Sequence, residues 1–175
     1  MSSKRIAALV LLAASLPVSA LAADKAPKCK WDGEAKDAFS GADGRWLRFT
    51  RYSVSFVAHP VVDGRIALDI GVPVGGLVKD DWTEPWRFLL ADKTVVEVPL
   101  PAPASGVISS NGYGPITSFV LKLSIDVATA QRMLEIGVIQ DKITPPPPIA
   151  AISNEWDKGD TKNFGHILDC SLNGV

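Results

Sequence analysis

The clearest pattern of apolar and polar positions lies in residues 116–137. In its first half, apolar side chains alternate with a period of two, as expected of a strand with one buried face, and in its second half they follow the helical period. These positions are Phe119, Leu121, Leu123 and Ile125, then Val127, Ala130, Met133 and Leu134. Asp126 can cap the helix and Gly137 can end it. The pattern predicts a strand that leads into a short α-helix over about residues 126–136.

Earlier stretches also alternate as strands do. In residues 45–58 the apolar positions change phase near Arg51, which predicts either two short strands or a β-bulge. Residues 65–72 alternate cleanly and are the expected hairpin partner of that segment. Residues 86–90 and 94–100 are predicted to form another hairpin, and the prolines of its second strand indicate that this strand lies at a sheet edge or ends early.

The last third of the chain is harder to assign. Four prolines at 145–148 predict an extended, rigid connector, with a docking segment for an aromatic groove as the alternative. Residues 164–172 fit either period: a strand aligns Phe164, His166, Leu168, Cys170 and Leu172, and a helix aligns Phe164, Ile167, Leu168 and Ser171. We favour the strand, because it gives Cys170 a fixed inward position.

Together these elements predict a mainly β protein. We expect an antiparallel β-sandwich or a partly open barrel with one short α-helix packed on it. No internal repeat or change of composition divides residues 23–175, so we expect one domain there. With its strand-rich body and late helix, this architecture resembles that of periplasmic proteins of the invasion-associated locus B type. The chain lacks the mid-chain Gly-Cys pair expected of that type, so no residue role or function is carried over.

Residues 1–22 have the pattern of a cleaved signal peptide. Lys4 and Arg5 precede an apolar run over residues 6–18, and residues 20–22, Ala-Leu-Ala, match a small-x-small cleavage site. The run is shorter than the roughly 20 residues that span a bilayer, although an uncleaved anchor is the alternative. Cys29 lies beyond the cut, unlike the cysteine of a lipoprotein. We therefore expect Gram-negative-type export to the periplasm or the medium, with no membrane span after cleavage.

Charge excludes one class of partner. The chain has 18 Lys+Arg and 19 Asp+Glu; removal of Lys4 and Arg5 leaves 16 against 19, a formal charge of −3. A nucleic-acid binder would carry a basic patch, so we expect no nucleic-acid partner. The two histidines, His59 and His166, are far apart, and residues 157–163 lack the calcium-loop spacing, so neither a metal nor a cofactor is expected.

The two cysteines, Cys29 and Cys170, lie near opposite ends of the mature chain. In an oxidising compartment an even pair usually forms a disulfide, and that is the prediction here. The alternative is a reactive thiol at Cys170 with His166 four residues before it.

Candidate chemistry is concentrated in residues 79–86, KDDWTEPW. The candidate binding residues are Asp80, Asp81, Trp82, Glu84 and Trp86, with Tyr113 from the turn-rich stretch 104–115. Sugar rings stack on indole faces while carboxylates accept hydrogen bonds from hydroxyl groups, so an exposed surface of this kind predicts a glycan ligand. The alternative is that both tryptophans close one end of the core, as large aromatics often do.

Two functions follow from these residues. The first is a non-catalytic, exported binding or interaction protein of a bacterial envelope, with an unknown protein or glycan partner. The second is an envelope enzyme that acts on a glycan through Asp80, Asp81 or Glu84, since glycoside hydrolases use two carboxylates about 5–10 Å apart. No G-x-S-x-G nucleophile motif is present. Burial of the two tryptophans would remove the stacking surface.

Overall fold

The computed structural model of the chain describes residues 29–36, 43–110 and 112–174. The signal-peptide prediction for residues 1–22 lies outside them. In sequence order the elements are β1 (Gly33–Lys36), β2 (Asp43–Arg51), β3 (Val54–Val62), β4 (Arg65–Gly75), β5 (Trp86–Leu90), β6 (Val95–Val98), β7 (Val107–Ser110), β8 (Pro115–Asp126), α1 (Val127–Ile136), β9 (Val138–Ile143), β10 (Ile152–Glu155) and α2 (Lys158–Asn173).

The strands form two antiparallel sheets, as the sandwich prediction requires. One sheet has the order β1-β2-β3-β4-β8-β7 and the other has the order β10-β9-β5-β6. The apolar faces of both sheets are buried, and aromatic rings from each meet between them; Phe56 of β3, for example, lies edge-on to Trp86 of β5, with ring centroids 5.8 Å apart. The prediction of a mainly β, sandwich-like fold is confirmed.

The strand and helix predicted in residues 116–137 are confirmed as β8 and α1. The four inward residues of β8, Phe119 to Ile125 at alternate positions, are at most 3% exposed. Asp126 caps α1 by accepting a hydrogen bond from the Thr129 amide at 2.8 Å, and Gly137 ends it with φ 84°. Glycine adopts this left-handed conformation without steric cost. Each end of α1 is therefore determined by the residue that lies there, which is why the sequence predicts both ends.

The phase change near Arg51 marks the turn between two strands. β2 and β3 pair antiparallel with Arg51 opposite Val54, so Tyr52 and Ser53 form a two-residue turn. The other two hairpins are also confirmed, since β4 pairs with β3 and β5 pairs with β6, which is an edge strand.

The expected strand over residues 164–172 is wrong, because these residues belong to the second helix, α2. Asp157 caps α2, and Asp160 completes a reciprocal capping box. Arg51 of β2 pairs with Asp160 and donates a hydrogen bond to the Glu155 carbonyl, which holds the start of the helix against the large sheet. The buried face of α2 is the helical alternative set, Phe164, Ile167, Leu168 and Ser171, together with Cys170. The fold therefore has a second helix where the sequence analysis expected one helix only.

The predicted disulfide is confirmed: Cys29 and Cys170 are bonded. It ties the start of the described chain to the buried face of α2. The His166 ring lies 3.8 Å from the Cys170 sulfur, but that sulfur is already bonded to Cys29, so the alternative of a reactive thiol is excluded.

Candidate functional site

The two tryptophans of the predicted stacking surface are buried. Trp82 and Trp86 are each 1% exposed, and their rings stack on one another with centroids 6.4 Å apart. The backbone of Trp82 exchanges two hydrogen bonds with Ala104, and its indole nitrogen donates to the Glu84 carbonyl at 3.1 Å. The expectation that these rings face a ligand is therefore wrong. Both rings pack at one end of the core, where burial removes their apolar surface from water and so stabilises the fold.

Tyr113 does not complete a surface with them. It lies between β7 and β8 and is 98% exposed, and it is not among the residues that line the groove described next. Part of the turn-rich stretch that carries it forms β7, a short edge strand whose residues are all exposed.

The three predicted carboxylates share one groove of about 490 Å³. We call it the acidic groove; its lining residues are Asp80, Asp81, Thr83, Glu84, Thr144, Pro145, Pro146, Pro147 and Ile149. The buried Trp82 holds the loop in place, so the acids on either side of it are exposed. Asp81 accepts a hydrogen bond from the Ser105 hydroxyl at 2.8 Å. The proline segment thus forms the wall that faces the acids.

The carboxylates of the acidic groove are better suited to accept hydrogen bonds than to act as general acids. A glycosidase acid is held in an apolar pocket that favours its protonated form, whereas Asp80, Asp81 and Glu84 are exposed. Within the described part of the chain, no three His, Cys, Asp or Glu side chains are placed to hold a metal ion. The oxygen-rich start of α2 is explained by its capping box.

A second depression, which the sequence analysis missed, lies on the outer face of the six-stranded sheet. It measures about 260 Å³, and we call it the sheet-face cleft. Its lining residues come from β2, β3, β4 and β8 and are Trp46, Arg48, Ser55, Val57, His59, Asp69, Gly71 and Val120. Because four adjacent strands hold these side chains, the cleft is more rigidly built than a loop site.

The floor of the sheet-face cleft is low because its central position is a glycine. Ser55, Gly71 and Val120 lie side by side on β3, β4 and β8. A Cβ atom at Gly71 would lie 2.6 Å from the Ser55 hydroxyl oxygen, so a side chain there would displace that hydroxyl and fill the depression.

One wall of the sheet-face cleft is an indole ring. A Cβ atom on Gly33 would lie 2.0 Å from the ring of Trp46, so the backbone of β1 packs directly against it and fixes its position. Beside it, Arg48 is exposed. Trp46 and Arg48 also line an adjoining depression of about 460 Å³ with Asp32 and Thr50. The Asp32 carboxylate accepts a hydrogen bond from the Arg48 amide at 2.6 Å.

The opposite wall contains a histidine and an aspartate. His59 Nε2 lies 3.6 Å from Asp69 Oδ2, and both side chains are about one-third exposed. The neighbouring Asp69 carboxylate raises the pKa of His59 above 6.5, and burial only partly opposes this effect. Lys122 is the register partner of Asp69 on β8. The imidazole is therefore protonated over a wider pH range than a free histidine.

A buried carboxylate lies elsewhere, between the sheets. Asp141 of β9 is 2% exposed, and burial raises its pKa while hydrogen bonds lower it. It accepts hydrogen bonds from the Trp156 indole at 2.6 Å and from the Asn154 amide at 3.2 Å. Because the buried Trp156 and the partly buried Asn154 each donate to one of its oxygens, Asp141 holds Trp156 and β10 in place.

No protein-family model, no curated protein and no solved structure matches this chain. Among the described residues, neither helix is both long and apolar enough to cross a membrane. Functional conclusions therefore rest on the geometry of the two surfaces.

Proposed function

We propose that this protein is an exported, non-catalytic binding protein of a bacterial envelope and that it holds a glycan in the sheet-face cleft. The observation that carries the proposal is the arrangement of Trp46, Arg48 and the His59–Asp69 pair around the low floor at Gly71. A sugar ring has apolar faces and a polar rim. A site that binds it therefore combines a hollow with an aromatic ring and hydrogen-bonding side chains, as this cleft does.

Each group has a distinct role in such a complex. The indole of Trp46 stacks on one face of a sugar ring, and Val57 and Val120 supply further apolar contact. The Ser55 hydroxyl and the Asp69 carboxylate accept hydrogen bonds from sugar hydroxyls, and Arg48 donates them. Among the described residues that line the cleft, Asp69 is the one carboxylate and is about one-third exposed, which supports binding over hydrolysis.

Export is supported by the disulfide and by the pattern of residues 1–22. Disulfides persist in oxidising compartments such as the periplasm and are rare in the cytosol. The bond between Cys29 and Cys170 fits such a compartment.

The second candidate function is an envelope enzyme that acts on a glycan in the acidic groove. The observation that favours it is that Asp80, Asp81 and Glu84 line one groove. Replacing each acid by its amide, as Asp80→Asn, Asp81→Asn and Glu84→Gln, should abolish any hydrolysis of envelope glycans by the purified protein. Absence of hydrolysis by the unaltered protein would remove this candidate.

Affinity electrophoresis tests the binding function. Purified protein of residues 23–175 is run through gels that contain single polysaccharides, neutral and acidic, at 0.15 M salt. We expect retardation in at least one gel and a dissociation constant raised at least tenfold by Trp46→Ala, which corresponds to about 1.4 kcal/mol. Tyr113→Ala is the matched control, because it removes an exposed aromatic ring outside the sheet-face cleft.

A second variant fills the floor of the sheet-face cleft and leaves Trp46 unchanged. It therefore tests the need for the hollow separately from the need for the indole ring. Ser55→Ala with Gly71→Val places a branched side chain in the hollow, and removal of the Ser55 hydroxyl leaves only the Ser55 Cβ, 4.0 Å from the new Cβ. Ser55→Ala alone is its control. Unchanged retardation of the double variant, with an unchanged melting temperature, would contradict binding in the sheet-face cleft.

A further inference from the structure

We propose, as an extension that rests on the function above, that the glycan held in the sheet-face cleft is anionic and that Arg48 binds its carboxylate. A uronic acid polymer is the chemical class that this assignment names. The inference follows from how the charges around the cleft are already paired.

The two carboxylates near the cleft, Asp69 and Asp32, differ in their contacts. Asp69 faces His59 at 3.6 Å and lies opposite Lys122 in the β4–β8 register. Asp32 accepts a hydrogen bond from the backbone amide of Arg48. Within the sheet-face cleft the Asp69 carboxylate therefore lies beside an ionisable partner, whereas Asp32 keeps its charge and lines only the adjoining depression.

The guanidinium of Arg48 is different. Among the described residues, no carboxylate lies within ion-pair distance of it, and its side chain is exposed. Other arginines of the large sheet are engaged: Arg51 pairs with Asp160, and Arg65 donates two hydrogen bonds to Ser124. A planar guanidinium binds a carboxylate through two parallel hydrogen bonds, so Arg48 is available for a ligand acid.

The position of Arg48 beside Trp46 adds a geometric reason. The carboxylate of a uronic acid is attached directly to the sugar ring, so a ring stacked on the indole carries its acid group within reach of a neighbouring side chain. Trp46 and Arg48 line both depressions, of about 260 and 460 Å³, so the pair lies where the two meet. A polymer passing from one depression to the other would meet the same pair.

The test compares several uronic acid oligomers, one of them also as the methyl ester that lacks the negative charge. Oligomers of galacturonic acid, their methyl esters, and oligomers of mannuronic and guluronic acid are titrated into the protein of residues 23–175 by isothermal calorimetry at 0.15 M salt. We expect binding of at least one acid oligomer, at least tenfold weaker binding of the ester where the matched acid binds, and at least tenfold weaker acid binding by Arg48→Gln. Arg132→Gln is the matched control, because it removes an exposed arginine charge on α1, outside both depressions.

Each outcome decides one of the two proposals. Equal binding of acid and ester that depends on Trp46 would leave the glycan-binding function standing and overturn the anionic assignment. Equal loss of acid binding in Arg48→Gln and Arg132→Gln would mean non-specific charge attraction and would also overturn it. Failure of all acid oligomers to bind overturns the anionic assignment, and failure of every polysaccharide in the electrophoresis overturns the function itself. Melting curves of each variant establish that it is folded.

Discussion

Replacing the buried Asp141 by asparagine should remove a pH-dependent loss of stability from the protein. Burial raises the pKa of Asp141 in the folded state above its ordinary value of 3.8. The folded protein therefore binds this proton more tightly than the unfolded chain does. The stabilising effect of this bound proton is fully present below the pKa of Asp141 in the unfolded chain, and it is lost as pH rises through the pKa in the folded protein. Each unit of pKa elevation corresponds to about 1.4 kcal/mol of stability lost at high pH.

The hydrogen bonds of residue 141 determine the part of the stability difference between the variant and the unaltered protein that does not depend on pH. In the unaltered protein the Trp156 indole donates to Asp141 Oδ1 at 2.6 Å, and an asparagine oxygen can accept the same hydrogen bond. The asparagine NH₂ group, however, would face the side-chain amide of Asn154, which is also a donor. Loss of that hydrogen bond should cost about 1–2 kcal/mol. We expect Asp141→Asn to be less stable than the unaltered protein at pH 4, and the difference should shrink or reverse by pH 7.

Urea unfolding followed by tryptophan fluorescence at several pH values measures this difference directly. All other titrating groups are common to both proteins, so most of their contributions cancel. Asp141→Ala is the control: it leaves the buried Trp156 indole without an acceptor and should be about 1–3 kcal/mol less stable than Asp141→Asn at every pH, because neither variant has a titrating group at this position. If the unaltered protein instead gained stability over Asp141→Asn as pH rose, the hydrogen bonds and Arg51 would outweigh burial, and the argument would fail.

Three further results are expected. Replacing both Cys29 and Cys170 by serine should lower the melting temperature, since the chain-entropy model assigns about 5 kcal/mol to a loop of 141 residues; an unchanged melting curve would contradict this. Asp157→Ala should cost about 1 kcal/mol in urea unfolding by removing the cap of α2, and a neutral result would mean that the cap is dispensable. NMR titration should give His59 a pKa above 6.5 that falls in Asp69→Asn, and an unchanged pKa would show that Asp69 is not its cause.

The parts of the fold that the sequence predicted are those with local causes. The strand-to-helix change in residues 116–137 combines two clear periods with a cap at Asp126 and a stop at Gly137. In contrast, residues 164–172 satisfy both periods, so the pattern alone could not separate strand from helix. The deciding signal lies upstream, where Asp157 and Asp160, whose spacing was compared only with a calcium loop, form a capping box.

The candidate site was harder to predict because its residues converge through sheet order. Trp46, His59 and Asp69 are outward positions on separate strands, and nothing in their spacing shows that they share a hollow. The pairing of β4 with β8, which brings Val120 beside Gly71, joins segments about 50 residues apart. One available signal was Gly71 itself, a glycine inside a cleanly alternating strand, which often marks a close approach or an open space.

The two surfaces place different demands on a ligand. The acidic groove joins a loop and a proline segment, and its exposed acids remain hydrated until a ligand displaces the water. The sheet-face cleft is held by the backbone ladders of four strands, and β1 packs against its indole, so little side-chain freedom is lost on binding at that wall. A weakly interacting ligand such as a sugar benefits most from a site that is already ordered. For that reason the cleft, which contains none of the residues first suspected, is the better candidate for recognition.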